Sequence, residues 1–346
     1  MEINEKKSII KDTWLRRNTG CVPYIVEAGR HHLATLEFYR DNARELSWHE
    51  SYYNKLSDVE DYNVPNIKPN VGIGTVAAAL GCEYVPNEDG DPWVRPMITE
   101  ENVDAVYQIS KPEPARSPVY RQAFDRLDYF LEHSTLPLRL LNVPSPLVAA
   151  SQVWEYTSFV EATLAHPREV HYMLEVVTQS IIEYVRLQLD RISRLYTMGH
   201  EPLFIPREVG LRISDDTAAV LSPTAYREFG VPYNRKISEA FGGLIWHSCG
   251  DVGAVLPVVM EIPGLRGIDV VAPQNDWNKL RIAVDQGVAM ILRHYFWDHA
   301  ENGADLVAYS RELIKFFGGK GIFILTSAPT AVEAQALAKQ LSGVLT

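Results

Sequence analysis

Residues 242–257 read GGLIWHSCGDVGAVLP. An apolar run through Leu244, Ile245 and Trp246 ends abruptly in His247, Ser248, Cys249 and Gly250. Strand side chains alternate between two faces, so His247 and Cys249 share one of them. Two readings are open at this point. The pair packs into a core as a buried thiol beside a half-buried imidazole, or it offers two metal ligands to a cavity. Thiolate and neutral imidazole both suit Zn²⁺, and i, i+2 spacing at a strand end lets both reach one ion. A zinc site also needs at least a third protein ligand, and no second cysteine stands near in sequence.

Outward from this stretch, short apolar strands alternate with longer amphipathic helices. The spacing predicts strands near 21–29, 136–146, 209–216, 242–250, 265–273, 287–295 and 321–329. Residues 166–196 carry apolar positions at helical spacing over many turns, and Ser222-Pro223 opens a second helical stretch that runs to Phe241. A strand–helix beat of this kind implies a parallel sheet, and its regularity over 200–346 favours a closed barrel over an open doubly wound sheet. The expected fold is α/β, a (β/α)8 TIM barrel with extra N-terminal helices and loops. No repeat or long polar linker interrupts the chain, so one domain is expected over 1–346. Within it, 1–130 is an N-terminal elaboration carrying the first strands, and 131–346 is the main barrel portion. GIGTVAAALG at 72–81 lacks the spacing of a dinucleotide-binding loop.

Composition bounds the function. The 346 residues are 46% hydrophobic and 22% charged, ample for a core without disulfides or structural metals. A net charge of -11 argues against general nucleic-acid binding, which needs a basic face. Cys21, Cys82 and Cys249 form no disulfide framework, the N-terminus does not resemble a secretory signal, and no run is long enough to span a membrane. A cytoplasmic, soluble protein is expected.

In a (β/α) barrel the active site lies at the C-terminal strand ends, and polar residues gather there. The first strand ends in Glu27, with Arg30, His31 and His32 close behind. The 209–216 strand ends in Asp215 and Asp216, which either cap the next helix or supply a carboxylate to the cavity. The 265–273 strand carries Asp269, and the 287–295 strand runs into Arg293, His294, Tyr295, Trp297, Asp298 and His299. Glu27 on an apolar strand needs a partner, either Arg30 or a metal. The aromatic cluster lines a pocket for a flat substrate or packs under a loop.

Residues 213–270, with the aspartate-ended strand, Leu221-Ser222-Pro223, the Phe229–Tyr233 segment and His247-x-Cys249-Gly250, resemble the uroporphyrinogen decarboxylase superfamily. Within it they are most similar to the zinc- and corrinoid-dependent methyltransferase branch, and residues 143–179 fit the same family's middle helices. Two departures stand out. The decarboxylases carry Arg-Gln-Ala-Gly-Arg-Tyr near the N-terminus, whereas this chain has Val26-Glu27-Ala28-Gly29-Arg30-His31. Loss of the first arginine weakens a site for a polyanionic porphyrinogen. Thiol-activating methyltransferases place a further cysteine after the last strand, where this chain offers Ser327. A different third ligand is then required, with Glu27, one of the Asp215/Asp216 pair and His294 the first positions to consider.

The resemblance implies a zinc-dependent methyltransferase that moves a methyl group between a small donor or acceptor, such as a methyl ether, and a corrinoid (cobalamin) carried by a partner protein. His247 and Cys249 would hold Zn²⁺. Glu27, Asp215, Asp216 and Tyr295 are the candidate catalytic residues, and Arg30, His294 and Trp297 the candidate substrate contacts. No nucleic-acid or membrane partner is expected, and a homodimer is compatible with the sequence. The alternatives are a metal-free decarboxylase or lyase, in which Asp215 or Asp216 stabilises a protonated pyrrole-like intermediate, and a non-catalytic ligand-binding barrel.

Overall fold

A computed structural model describes residues 1–29, 36–87, 92–299 and 305–345. Its frame is a set of short parallel strands: β1 (Tyr24–Ala28), β2 (Leu138–Arg139), β3 (Leu195–Thr197), β4 (Leu211–Ser214), β5 (Leu244–Ser248), β6 (Leu265–Val271), β7 (Ala289–His294) and β8 (Ile322–Ala328). Six of them form one curled parallel sheet in the order β1-β8-β7-β6-β5-β4, and β2 pairs with β3 in a separate piece. The two pieces touch through the bridge Pro144–Ser214 and through Arg212 N–H donating to the Met198 carbonyl. On the other side Ile67 bridges to Leu138, and Tyr62 N–H donates to the Tyr24 carbonyl.

Of the expected ring of eight strands, the structure gives the α/β half with a curled parallel sheet. Among the described residues the ladder covers a half-barrel, and isolated bridges stand where the remaining strands were expected. Proline gives the reason: Pro65, Pro144 and Pro146 have no N–H to donate, which cuts the segments around Ile67 and after Arg139 out of any regular ladder. Two helix boundaries also differ. The long helix spans Pro167–Arg191, and Leu195 and Tyr196, expected in its last turn, belong to β3 instead. The stretch after Ser222 is two helices, Pro223–Phe229 and Val231–Phe241, broken at Gly230 ahead of Pro232. Ser222 caps the first as expected, its hydroxyl accepting from Ala225 N–H.

The parallel register sorts side chains by face. Ser214 lies beside His247, His247 beside Asp269, Val271 beside Arg293, Arg293 beside Leu325 and Ser327 beside Glu27. Partners in register point the same way, so Ser214, His247, Asp269, Arg293, Ser327 and Glu27 belong to one concave face. Trp246, His294 and Thr326 alternate onto the other face, under the helices. At the foot of β4 and β5 the backbones of Gly210 and Gly243 nearly touch. A Cβ on Gly210 would lie 2.2 Å from the Gly243 carbonyl, and its φ of +115° further excludes a side chain.

Candidate metal centre

The concave face ends in three donor groups. Asp216, His247 and Cys249 bring one carboxylate oxygen, one imidazole nitrogen and one sulfur within 4.8 Å of each other. Cys249 Sγ lies 3.5 Å from His247 Nε2, and Asp216 Oδ1 lies 3.8 Å from the same nitrogen. Bonds of about 2.0–2.3 Å to a tetrahedral zinc set ligand-to-ligand edges of about 3.3–3.8 Å, so the nitrogen–sulfur separation matches such an edge and the nitrogen–oxygen separation lies at its upper end. Asp216 also accepts from Cys249 N–H at 2.7 Å, which ties the loop after β5 to the one after β4. Asp216 is half exposed and Cys249 opens to solvent, leaving the cluster accessible. Burial on its inner side, reinforced by the Asp216 charge, pushes the Cys249 thiol up to about 12. The free thiol therefore keeps its proton, and a bound divalent cation reverses that preference.

The other imidazole nitrogen faces inward. His247 Nδ1 lies 3.0 Å from the Asp269 carbonyl oxygen and 3.3 Å from Asp269 Oδ2. Asp269 is fully buried and gripped by two guanidiniums. Arg293 donates to Oδ1 through Nε and to Oδ2 through Nη2, and Arg212 donates to Oδ2 through Nε, with its Nη2 2.7 Å from the same oxygen. Burial alone would raise Asp269, but Arg293 and Arg212 outweigh it and hold the carboxyl well below the usual range. Arg293 also reaches Glu201 at 3.3 Å and the Tyr295 hydroxyl oxygen at 2.9 Å. Arg212 reaches His200 Nε2 at 3.2 Å.

The remaining sequence-derived candidates divide by face. Asp215 lies on the outer side and is sealed in. Its Oδ1 accepts from Ser145 at 2.6 Å, and its Oδ2 accepts from Tyr226, Asn234 and Trp246 at 2.7, 2.9 and 2.8 Å. The neighbouring Asp216 alone joins the donor cluster, and neither side chain caps the 3₁₀ turn that begins there. His294 points away from the concave face. Its Nε2 meets Ser310 Oγ at 2.9 Å under the helix Leu306–Phe317, and burial lowers its pKa to about 3. That placement removes His294 both as a ligand to this cluster and as a contact on the concave face. Tyr295 stacks on Trp297 with centroids 4.6 Å apart, and burial raises its phenol. Glu27 lies on the concave face beside Ser327, close enough to raise Tyr295 further by its charge. Ser327 Oγ accepts from Phe296 N–H at 3.4 Å. Arg30, His31 and His32 lie outside the described residues.

Arg212, His200 and Glu201 did not stand out in the sequence. An arginine inside the apolar strand LRIS was the available signal, because a buried guanidinium demands buried acceptors.

A curled parallel sheet with a polar, ligand-bearing cluster at its strand ends defines an α/β enzyme scaffold. The family model described as uroporphyrinogen decarboxylase (URO-D) matches residues 18–199, over half of the chain, and the protein belongs to that family. Uroporphyrinogen decarboxylase of Shewanella sp. (strain W3-18-1) is 26% identical over 180 residues, covering 48% of this chain and 43% of that protein. Chloroplastic uroporphyrinogen decarboxylase 2 of Arabidopsis thaliana is 25% identical over 183 residues, covering 50% and 41%. The matched region thus spans less than half the length of these curated relatives. Among solved structures, one titled "methyltransferase from Methanosarcina mazei" superposes with a TM-score of 0.68 at 13% identity, over 96% of this chain and 98% of that one, a likeness of fold. No helix among the described residues is long and apolar enough to cross a membrane.

Proposed function

We propose that this chain is a zinc-dependent methyltransferase of a corrinoid system. It moves a methyl group between a small substrate, with a methyl ether favoured, and a cobalamin carried by a partner protein. The observation that carries the proposal is the nitrogen, sulfur and carboxylate set of His247, Cys249 and Asp216, gathered within 4.8 Å of one another with Asp216 and Cys249 exposed. In this reading the half-barrel and the β2–β3 piece together wall a (β/α)8-type barrel whose mouth is the active site, and the protein works in the cytoplasm.

When bound, the ion supplies Lewis-acid stabilisation of charge on a substrate oxygen or sulfur. A carboxylate in place of a second thiolate leaves it less electron-rich, which favours polarising an ether oxygen. The protein's own residues do the rest. His247 presents Nε2 while its other nitrogen is held at Asp269. Cys249, whose thiol burial and the Asp216 charge hold protonated in the free protein, would supply the sulfur ligand to the ion. Asp216 closes the donor set from the neighbouring strand end. Tyr295, its oxygen held by Arg293 and its ring by Trp297, presents a fixed aromatic face from the next strand end but one, with Glu27 nearby. These two orient the substrate.

Family membership alone favours a second reading, porphyrinogen decarboxylation. Two facts count against it: the first arginine of the decarboxylase motif is Val26, and Asp215 is sealed by four donors. In such an enzyme Asp216 is the carboxylate open to substrate. Elemental analysis of the purified protein separates the two readings. The proposal expects about one zinc per chain, lost in His247→Ala and in Cys249→Ala with circular dichroism unchanged. The intact protein then demethylates a member of a panel of methyl ethers and methyl thioethers with cob(I)alamin as acceptor. A wild type without zinc, or either variant with a full complement, refutes it.

A further inference from the structure

We propose that the Asp269 carboxylate is a positioning residue for His247. Wedged between two arginines, it lies 3.3 Å from the imidazole Nδ1, whose N–H donates to the Asp269 carbonyl oxygen at 3.0 Å, and the two Asp269 acceptors together hold the ring with Nε2 toward Cys249 and Asp216. This rests on the metal centre proposed above and adds the group that orients it.

Register supplies the first argument. Asp269 on β6 is the lateral partner of His247 on β5, so the two side chains share the concave face by backbone pairing alone. Proton counting supplies the second. His247 Nδ1 sits 3.0 Å from a carbonyl oxygen and 3.3 Å from a carboxylate oxygen, both acceptors, so the hydrogen must lie on Nδ1. A neutral imidazole has a single N–H, which leaves Nε2 with a lone pair, 3.5 Å from Sγ and 3.8 Å from Asp216 Oδ1.

The third argument is rigidity. Two guanidinium forks fix the carboxylate, and each fork is tethered at its far end. Arg212 is held by His200 and Ser214, and Arg293 by Glu201 and Tyr295. Asp269 cannot swing away from the imidazole without breaking several buried charge-assisted bonds. An ion-pair cluster serving stability alone would need the arginines but no imidazole edge against it. Arg293 also links the metal ligand to Tyr295, so ligand and substrate contact take their positions from one guanidinium.

Carboxylates placed this way fix a ligand's tautomer and raise its basicity, and their removal typically weakens metal binding about 10–100-fold. The test begins with the metal-free wild type carrying ¹⁵N-histidine, with the His247 signals identified by their loss in His247→Ala. The expected result is a pyrrole-like Nδ1 and a pyridine-like Nε2, and the opposite tautomer overturns the proposal. Next, Zn²⁺ alone is titrated against a chromogenic chelator. Asp269→Asn is expected to bind zinc about 10–100-fold more weakly than wild type, and an unchanged affinity in folded Asp269→Asn overturns the proposal. Should that variant fail to fold, Asp269→Glu, which keeps the charge but displaces the carboxylate, is titrated in its place, and an unchanged affinity overturns the proposal. A wild type that binds no zinc yet shows Nδ1–H removes the proposed metal centre but supports the orienting contact, so the two failures are distinguishable.

Discussion

Asp215 and Asp216 are chain neighbours, yet the structure gives them opposite consequences when truncated. Asp215→Ala removes the acceptor of four buried donors. One of these can adapt, because the Ser145 hydroxyl can rotate. The Tyr226 O–H loses its acceptor even though its oxygen still accepts from Asn234 at 2.9 Å. The Trp246 indole N–H is fixed by its fully buried ring, and one Asn234 amide hydrogen is stranded with it. At about 1–3 kcal/mol for each of these unpaired buried donors, the loss should be at least about 3 kcal/mol. The apparent melting temperature should fall by on the order of 5–10 °C. Asp216→Ala exposes little and breaks one bond to Cys249 N–H, so its stability should change by less than about 1 kcal/mol. Zinc affinity should move the other way, unchanged in folded Asp215→Ala and weakened in Asp216→Ala. Thermal unfolding and chelator competition on both variants provide the check. A melting temperature for Asp215→Ala within a degree of wild type, or equal zinc affinities for the two variants, would refute the division of roles.

Three further outcomes follow from the same geometry. The folded His294 imidazole stays neutral down to about 3, whereas the unfolded chain titrates near the usual 6.5. Between those values the unfolded chain binds the extra proton, so this group's contribution is complete above about 6.5 and drains away on acidification by about 1.4 kcal/mol per pH unit. From pH 7 to 5 the wild type should thus lose about 2 kcal/mol more than His294→Gln in urea unfolding, and parallel curves would contradict the burial. In a Cys21→Ala/Cys82→Ala background, Cys249 of the metal-free protein should react with an aromatic disulfide at pH 8 at least about tenfold more slowly than an unfolded cysteine. Reaction at the unfolded rate would mean that the thiol is not held protonated. Gly210→Ala should cost at least about 3 kcal/mol, read as lost soluble yield or a depressed melting temperature, because the added methyl meets the Gly243 backbone. A variant within about 1 kcal/mol of wild type would contradict that close approach.

The strands of the second half were legible because each is an apolar run bounded by turn residues, and buried parallel strands read that way. Leu244–Ser248, Leu265–Val271, Ala289–His294 and Ile322–Ala328 fall inside the expected spans. Leu195–Thr197 was not legible, since no glycine or proline marks the end of the preceding helix and its apolar spacing continues through Leu195. At the site, the shared face of His247 and Cys249 follows from strand alternation. The choice between Asp215 and Asp216 does not, because β4 ends at Ser214 and the alternation stops there. The donors that claim Asp215 come from positions 145, 226, 234 and 246, a convergence that only tertiary packing creates. His294 misled for a related reason: it is the last residue of its strand, and strand ends present chemistry on both sides.

All three donors hang from the ends of β4 and β5, downstream of residues 18–199, which the family model matches. The pairing of Ser214 with His247 joins the two strands. Were β5 to slide by one position, the imidazole would turn under the helices and an indole would take its place. The geometry of the candidate site is owed to peptide groups that never touch an ion.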